Sequence, residues 1–84
     1  MGKTLAAGAA TLEDLSTREA QLTERVALGK MNKEIAWDLH LAEGTVKEYL
    51  NRLFRKIGVS NRTELAVWAI RQRQQREAKN GSAN

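Results

Sequence analysis

A chain of 84 residues without cysteine has room for one small domain, and neither a disulfide nor a thiolate-held metal can brace it. Its net charge of +4 is unevenly spread: residues 1–46 hold five Lys/Arg against seven acids, and residues 47–84 hold nine against three. A polyanion is therefore drawn to the second half, while the lone His40 cannot build a zinc site.

No apolar run approaches the roughly 20 residues of a membrane span, and nothing resembles a signal peptide. The expectation is a soluble intracellular protein with no cofactor and no membrane. Residues 1–14 begin with the small, nearly featureless run MGKTLAAGAATL and read as a flexible arm or linker. Gly2-Lys3-Thr4 lacks the preceding glycine and strand of a phosphate-binding loop. The folded unit is expected over 15–76, with 77–84 a polar, disordered tail.

Four helical segments and no alternating strand pattern lie within that unit. Ser16-Thr17-Arg18-Glu19 is a capping box that opens helix one, whose inner face carries Leu22 and Val26 and whose stop signal is Gly29. Helix two runs from about Asn32 to Leu39, with Ile35, Ala36 and Leu39 inward. His40-Leu41-Ala42 then turns the chain into helix three, Glu43–Ile57. There Val46, Leu50, Leu53 and Ile57 form one stripe at a period of about 3.6 residues. Glu48 and Arg55 point away from it, Gly44, Thr45, Asn51 and Arg52 share the outer half, and Lys47 lies nearer its edge. Gly58 closes the helix. Asn61 with Glu64 resembles the cap of a fourth helix, which runs from Arg62 into the 71–76 region.

Two short helices joined by a three-residue turn, the second polar and basic on its outer side, have the geometry of a helix-turn-helix. A helix with its side chains fits the major groove, where base edges present distinguishable donors and acceptors. A plain helical bundle with a solvated basic face has the same spacing. The fold class is all-α in either case, a four-helix, bundle-like domain.

Longer motifs separate the two. Leu15-Ser16-Thr17-Arg18-Glu19, Asn32-Lys33-Glu34-Ile35-Ala36, Leu41 to Lys47 (LAEGTVK) and Phe54 to Ala66 (FRKIGVSNRTELA) together resemble the LuxR/FixJ/NarL-type DNA-binding domain over about 15–72. That resemblance implies a tetrahelical output domain of a response regulator or quorum-sensing receptor. Its implied role is sequence-specific binding of double-stranded DNA and regulation of transcription in the bacterial cytoplasm, commonly as a homodimer. It implies base contacts from Lys47, Glu48 and Asn51, and phosphate contacts from Asn32, Lys33 and Thr45, to which Arg52, Arg55 and Lys56 would add. Glu48 is unusual, because phosphate repels a carboxylate that cytosine N4 can nonetheless engage; an i+4 pair with Arg52 is the plainer reading. Ala42 and Met31 stand where the family has hydroxyl caps, and Thr23 and Arg25 where it is commonly aliphatic, so helix one is expected to pack weakly.

Leu65 to Ile70 is apolar around the whole helix. Leu65 and Ala69 are expected inward. Val67, Ile70 and Arg71, with Trp68 at the border, match the family's dimer contact on helix four. Trp37 is expected on the outer side of helix two. No nucleophile, metal cluster or phosphate loop supports an enzyme. The alternatives are a protein-interaction module that recruits RNA polymerase or another regulator, and a sigma-factor-like promoter-reading domain.

Overall fold

Ser16 starts the first helix of the computed structural model, which describes residues 10–82. Its Oγ accepts from the Glu19 amide at 3.1 Å, and the Glu19 carboxylate accepts from the Ser16 amide at 2.9 Å. These two bonds satisfy groups that every helix start leaves open. The element order is a 3-10 turn at Leu12–Asp14, α1 (Thr17–Ala27), α2 (Asn32–Leu39), α3 (Glu43–Ile57) and α4 (Arg62–Ser82). Among the described residues there is no strand, and the all-α, tetrahelical expectation holds.

The two glycine stops act through positive φ. Gly29 (φ +85°) and Gly58 (φ +86°) take the left-handed conformation after α1 and α3. α2 ends on a non-glycine instead: His40 has φ +58°, and the Leu41 amide returns to the Ala36 carbonyl at 2.9 Å. Arg18 reaches from α1 to the Leu39 carbonyl at 3.3 Å and caps the same helix end.

α1 lies chiefly against α4 and α2 against α3, and both α1 and α4 also touch α3. The core takes Leu22 and Val26 from α1 and Ile35, Ala36 and Leu39 from α2. The whole α3 stripe of Val46, Leu50, Leu53 and Ile57 joins them, with Leu65, Trp68 and Ala69 from α4. Tyr49 and Phe54 pack at its edge.

Both ends of the folded unit differ from expectation. Ala10 is buried and Leu12 packs on the core, so the last residues of the expected arm belong to the domain. The Thr11 amide donates to Asp14 Oδ2 at 2.7 Å and the Asp14 amide to the Thr11 carbonyl at 2.9 Å, closing a turn that packs against α4. Residues 1–9 of the arm lie outside the described residues. At the other end α4 continues to Ser82, past the 71–76 region and through most of the expected tail. Gln72-Arg73-Gln74-Gln75-Arg76-Glu77 are all good helix formers, with no glycine or proline to stop them.

Thr23 and Arg25 are accommodated differently from each other. Arg25 Nε donates to Asp38 Oδ2 at 3.2 Å, which ties α1 to α2. Thr23 is 1% exposed and its Oγ1 has no hydrogen-bond partner. A buried hydroxyl left unsatisfied costs about 1–3 kcal/mol, and valine is its apolar isostere with a similar helix propensity. Thr23→Val is expected to stabilise the domain by about 1 kcal/mol, read as a higher melting temperature. A lower melting temperature would show that the hydroxyl is satisfied in solution.

Candidate nucleic-acid interface

With the α3 stripe fully inside, the opposite side of that helix is presented to solvent. Lys47, Glu48, Asn51, Arg52, Arg55 and Lys56 are exposed and Thr45 is half-buried. At the start of α2, Lys33 is exposed and Asn32 half-buried. The two helix starts that carry these residues both lack a side-chain cap. Ala42 offers no acceptor before α3, nor does Met31 before α2. The Met31 amide is satisfied by Glu34 Oε1 at 2.8 Å, but this leaves the first-turn amides of α2 without a capping acceptor. Such amides carry the positive end of the helix dipole.

The cations around this surface fall into two groups. Lys30 and Arg25 both bind Asp38 Oδ2, at 2.6 and 3.2 Å. The Lys30 hydrogen bond outweighs the partial burial that would raise the Asp38 pKa, Arg25 adds to it, and the carboxyl is held below its ordinary value. Lys56 binds Glu19 Oε1 at 2.8 Å, joining the end of α3 to the start of α1. By contrast Lys33, Lys47, Arg52 and Arg55 take part in no ion pair among the described residues. Lys56, expected to add a contact to the DNA backbone, is bonded to Glu19 within the domain.

Glu48 does not pair with Arg52. The Arg52 guanidinium lies 5.7 Å from the centroid of the Tyr49 ring, one turn back, a cation–π contact that leaves Glu48 free at the surface. On α4, Val67 and Ile70 are 43% and 44% exposed and Arg71 is exposed. Trp68 is only 9% exposed and belongs to the core, because it lies with Leu65 and Ala69 on the inward side of the helix. Trp37 stands outward at 83% exposure.

Arg62 was not among the expected site residues, yet it touches the candidate surface. Its Nη1 donates to Asn32 Oδ1 at 2.8 Å and its Nη2 to the Lys30 carbonyl at 2.6 Å. One signal was available in sequence. A cation in the first turn of a helix opposes the dipole and implies a partner elsewhere. Among the described residues no group of three or more metal-binding side chains gathers, and no helix is long and apolar enough to cross a membrane.

The Glu19–Lys56 pair has a pH signature. Burial raises the Glu19 pKa, but the Lys56 ammonium and the Ser16 amide and hydroxyl together hold it below its ordinary 4.5. Since the folded group ionises more readily than the unfolded one, its stabilisation is complete above 4.5. It is lost as the pH falls through that value to the lowered folded one. Glu19→Gln should flatten this part of the acid-unfolding profile followed by circular dichroism. A variant with the parent's full acid dependence would assign that dependence to other carboxylates.

Comparison with known proteins adds to this geometry. The family model described as bacterial regulatory proteins, luxR family, matches residues 13–69. The chain is 44% identical over 55 residues to the CsgBAC operon transcriptional regulatory protein of Escherichia coli, covering 66% of this chain and 26% of that protein. It is 42% identical over 59 residues to a probable transcriptional regulatory protein NarL of Mycobacterium tuberculosis, covering 70% and 27%. It is also 42% identical over 57 residues to the response regulator Rre1 of Synechocystis, covering 68% and 25%. The chain thus spans 25% to 27% of the length of these relatives, all of them named as regulators rather than enzymes.

Proposed function

The chain belongs to the luxR family of bacterial regulatory proteins, and on that premise we propose that it binds double-stranded DNA with α3 in the major groove and regulates transcription in the bacterial cytoplasm. The observation that carries this reading is the division among its cations. Among the described residues Lys33, Lys47, Arg52 and Arg55 stay free of ion pairs, whereas Lys30, Arg25 and Lys56 are held by Asp38 and Glu19. Lys33 and Lys47 lie near two uncapped helix starts, and Arg52 and Arg55 follow further along α3, an arrangement suited to phosphate oxygens.

Lys47, Glu48 and Asn51 are assigned to base edges. Asn32, Lys33 and Thr45 are assigned to the sugar-phosphate backbone, with Arg52 and Arg55 beside them and Lys56 in a lesser part because of its bond to Glu19. Phosphate contacts fix position and supply affinity; base contacts select sequence. Glu48, free of Arg52, is available to accept from cytosine N4.

The test is a salt titration of DNA binding by the 84-residue chain. Affinity should fall steeply with salt, and Lys33→Ala should reduce the slope by about one. Glu48→Ala should change preference at one base pair, whereas uniform tightening over all sequences would make Glu48 merely a repulsive charge. Salt-insensitive binding would favour the reading in which the domain recognises RNA polymerase or another protein.

For α4 we assign a second copy of the chain as occupant of the Val67, Ile70 and Arg71 side, leaving Trp68 to the core. Both apolar residues are nearly half exposed on a helix whose Leu65, Trp68 and Ala69 are buried. Val67→Glu should weaken cooperative binding to paired half-sites while leaving the folding stability within about 0.5 kcal/mol of the parent's. Binding of the parent chain as independent monomers would overturn the assignment.

A further inference from the structure

Arg62 is the first residue of α4, where the helix dipole disfavours a cation. Its guanidinium nonetheless holds two oxygens from the start of α2, the Lys30 carbonyl at 2.6 Å and Asn32 Oδ1 at 2.8 Å. Both bonds are short, and both run from the first residue of α4 to the segment that opens α2.

Guanidinium only donates, so the atom of Asn32 that faces it must be the carbonyl oxygen. The amide is thereby fixed with its Nδ2 hydrogens as the free end. No protein acceptor takes those hydrogens among the described residues. A phosphate can only accept, so it can use Asn32 in this orientation and not in the flipped one. Met31 supplies no side-chain cap next to it, which leaves the backbone amides of the same turn open on the same helix end.

We propose that Arg62 is a positioning residue for DNA binding: it orients the Asn32 amide and holds the start of α2 so that both donate to one phosphate, without touching the DNA itself. This rests on the reading of α2 as a backbone-contacting helix. It also makes the first turn of α4, the helix assigned to a second copy, part of the support for the DNA-facing surface.

The experiment measures binding of the 84-residue chain to a fluorescein-labelled mixed-sequence DNA duplex by anisotropy over a salt series. Arg62→Ala should weaken binding about tenfold at every salt concentration, with the salt slope unchanged. Asn32→Ala should weaken it by a similar factor, and the double variant should be no weaker than either single one, since the two act as a unit. Full affinity in a folded Arg62→Ala variant would overturn the proposal. So would a slope reduced by about one, because Arg62 would then contact phosphate directly, and so would additive losses.

Should Arg62→Ala fail to fold, Arg62→Lys decides the matter. It keeps the charge but loses the planar fork that holds both oxygens. Weakened binding with an unchanged melting temperature supports the proposal, and parental affinity overturns it. A parent chain that binds no duplex overturns the DNA-binding reading and this proposal together, whereas normal parental binding with indifferent variants overturns this proposal alone.

Discussion

Val46, Leu50, Leu53 and Ile57 share one side of α3, and burying them leaves that helix a single way to roll. Each is at most 3% exposed, and fully burying a large aliphatic side chain is worth about 1.5–3 kcal/mol. Turning α3 by one residue, about 100°, would carry most of that stripe into water. The loss would rival the entire stability of a small domain, about 5–15 kcal/mol. The direction in which Lys47, Glu48 and Asn51 point is therefore set from behind, by apolar contact with the other helices. No interaction at the surface is strong enough to compete.

Polar links do a different task. The turn between α1 and α2 is gripped by cations from both sides: Lys30 and Arg25 converge on Asp38, while Arg62 takes the Lys30 carbonyl and Asn32. Partly exposed ion pairs of this kind contribute little to stability, about 0–1 kcal/mol each. Their effect is geometric. α2 has only eight residues and starts without a side-chain cap, so its orientation depends on groups outside the helix. Glu19 shows the same economy, since one carboxylate oxygen serves both the Ser16 amide and the Lys56 ammonium.

How much of this was legible in sequence depended on the range of the interaction. α1, α2 and α3 were readable because their start and stop signals are local: the Ser16 box, Gly29, Gly58 and the three-residue turn after Leu39. The α3 stripe was readable because periodicity reports burial directly. α4 ran past its expected end because the Gln/Arg-rich segment contains no stop, and composition that reads as a solvated tail also propagates a helix. Ala10 was missed since a single small apolar residue in a run of small residues has no period. Trp68 was placed at a border because a helix apolar on all sides does not say which side is inward. The Arg52 side chain had two allowed neighbours, Glu48 at i−4 and Tyr49 at i−3, and spacing cannot rank them. Arg62 and Asn32 are thirty residues apart, beyond any local pattern; only the misplaced charge at a helix start hinted at the link.

The chain contains two tryptophans, and the fold places them in opposite surroundings. Trp68 is enclosed between α4 and the core, and its Nε1 has no hydrogen-bond partner. Trp37 projects from the outer side of α2 at 83% exposure. The molecule therefore carries two separate fluorophores for two separate events. Emission from Trp68 follows the loss of the core and is blue-shifted while the core is intact, whereas Trp37 emits as in water whether the chain is folded or not. Any change in the red component of a folded sample reports on what approaches α2, so intrinsic fluorescence distinguishes docking from unfolding without a label.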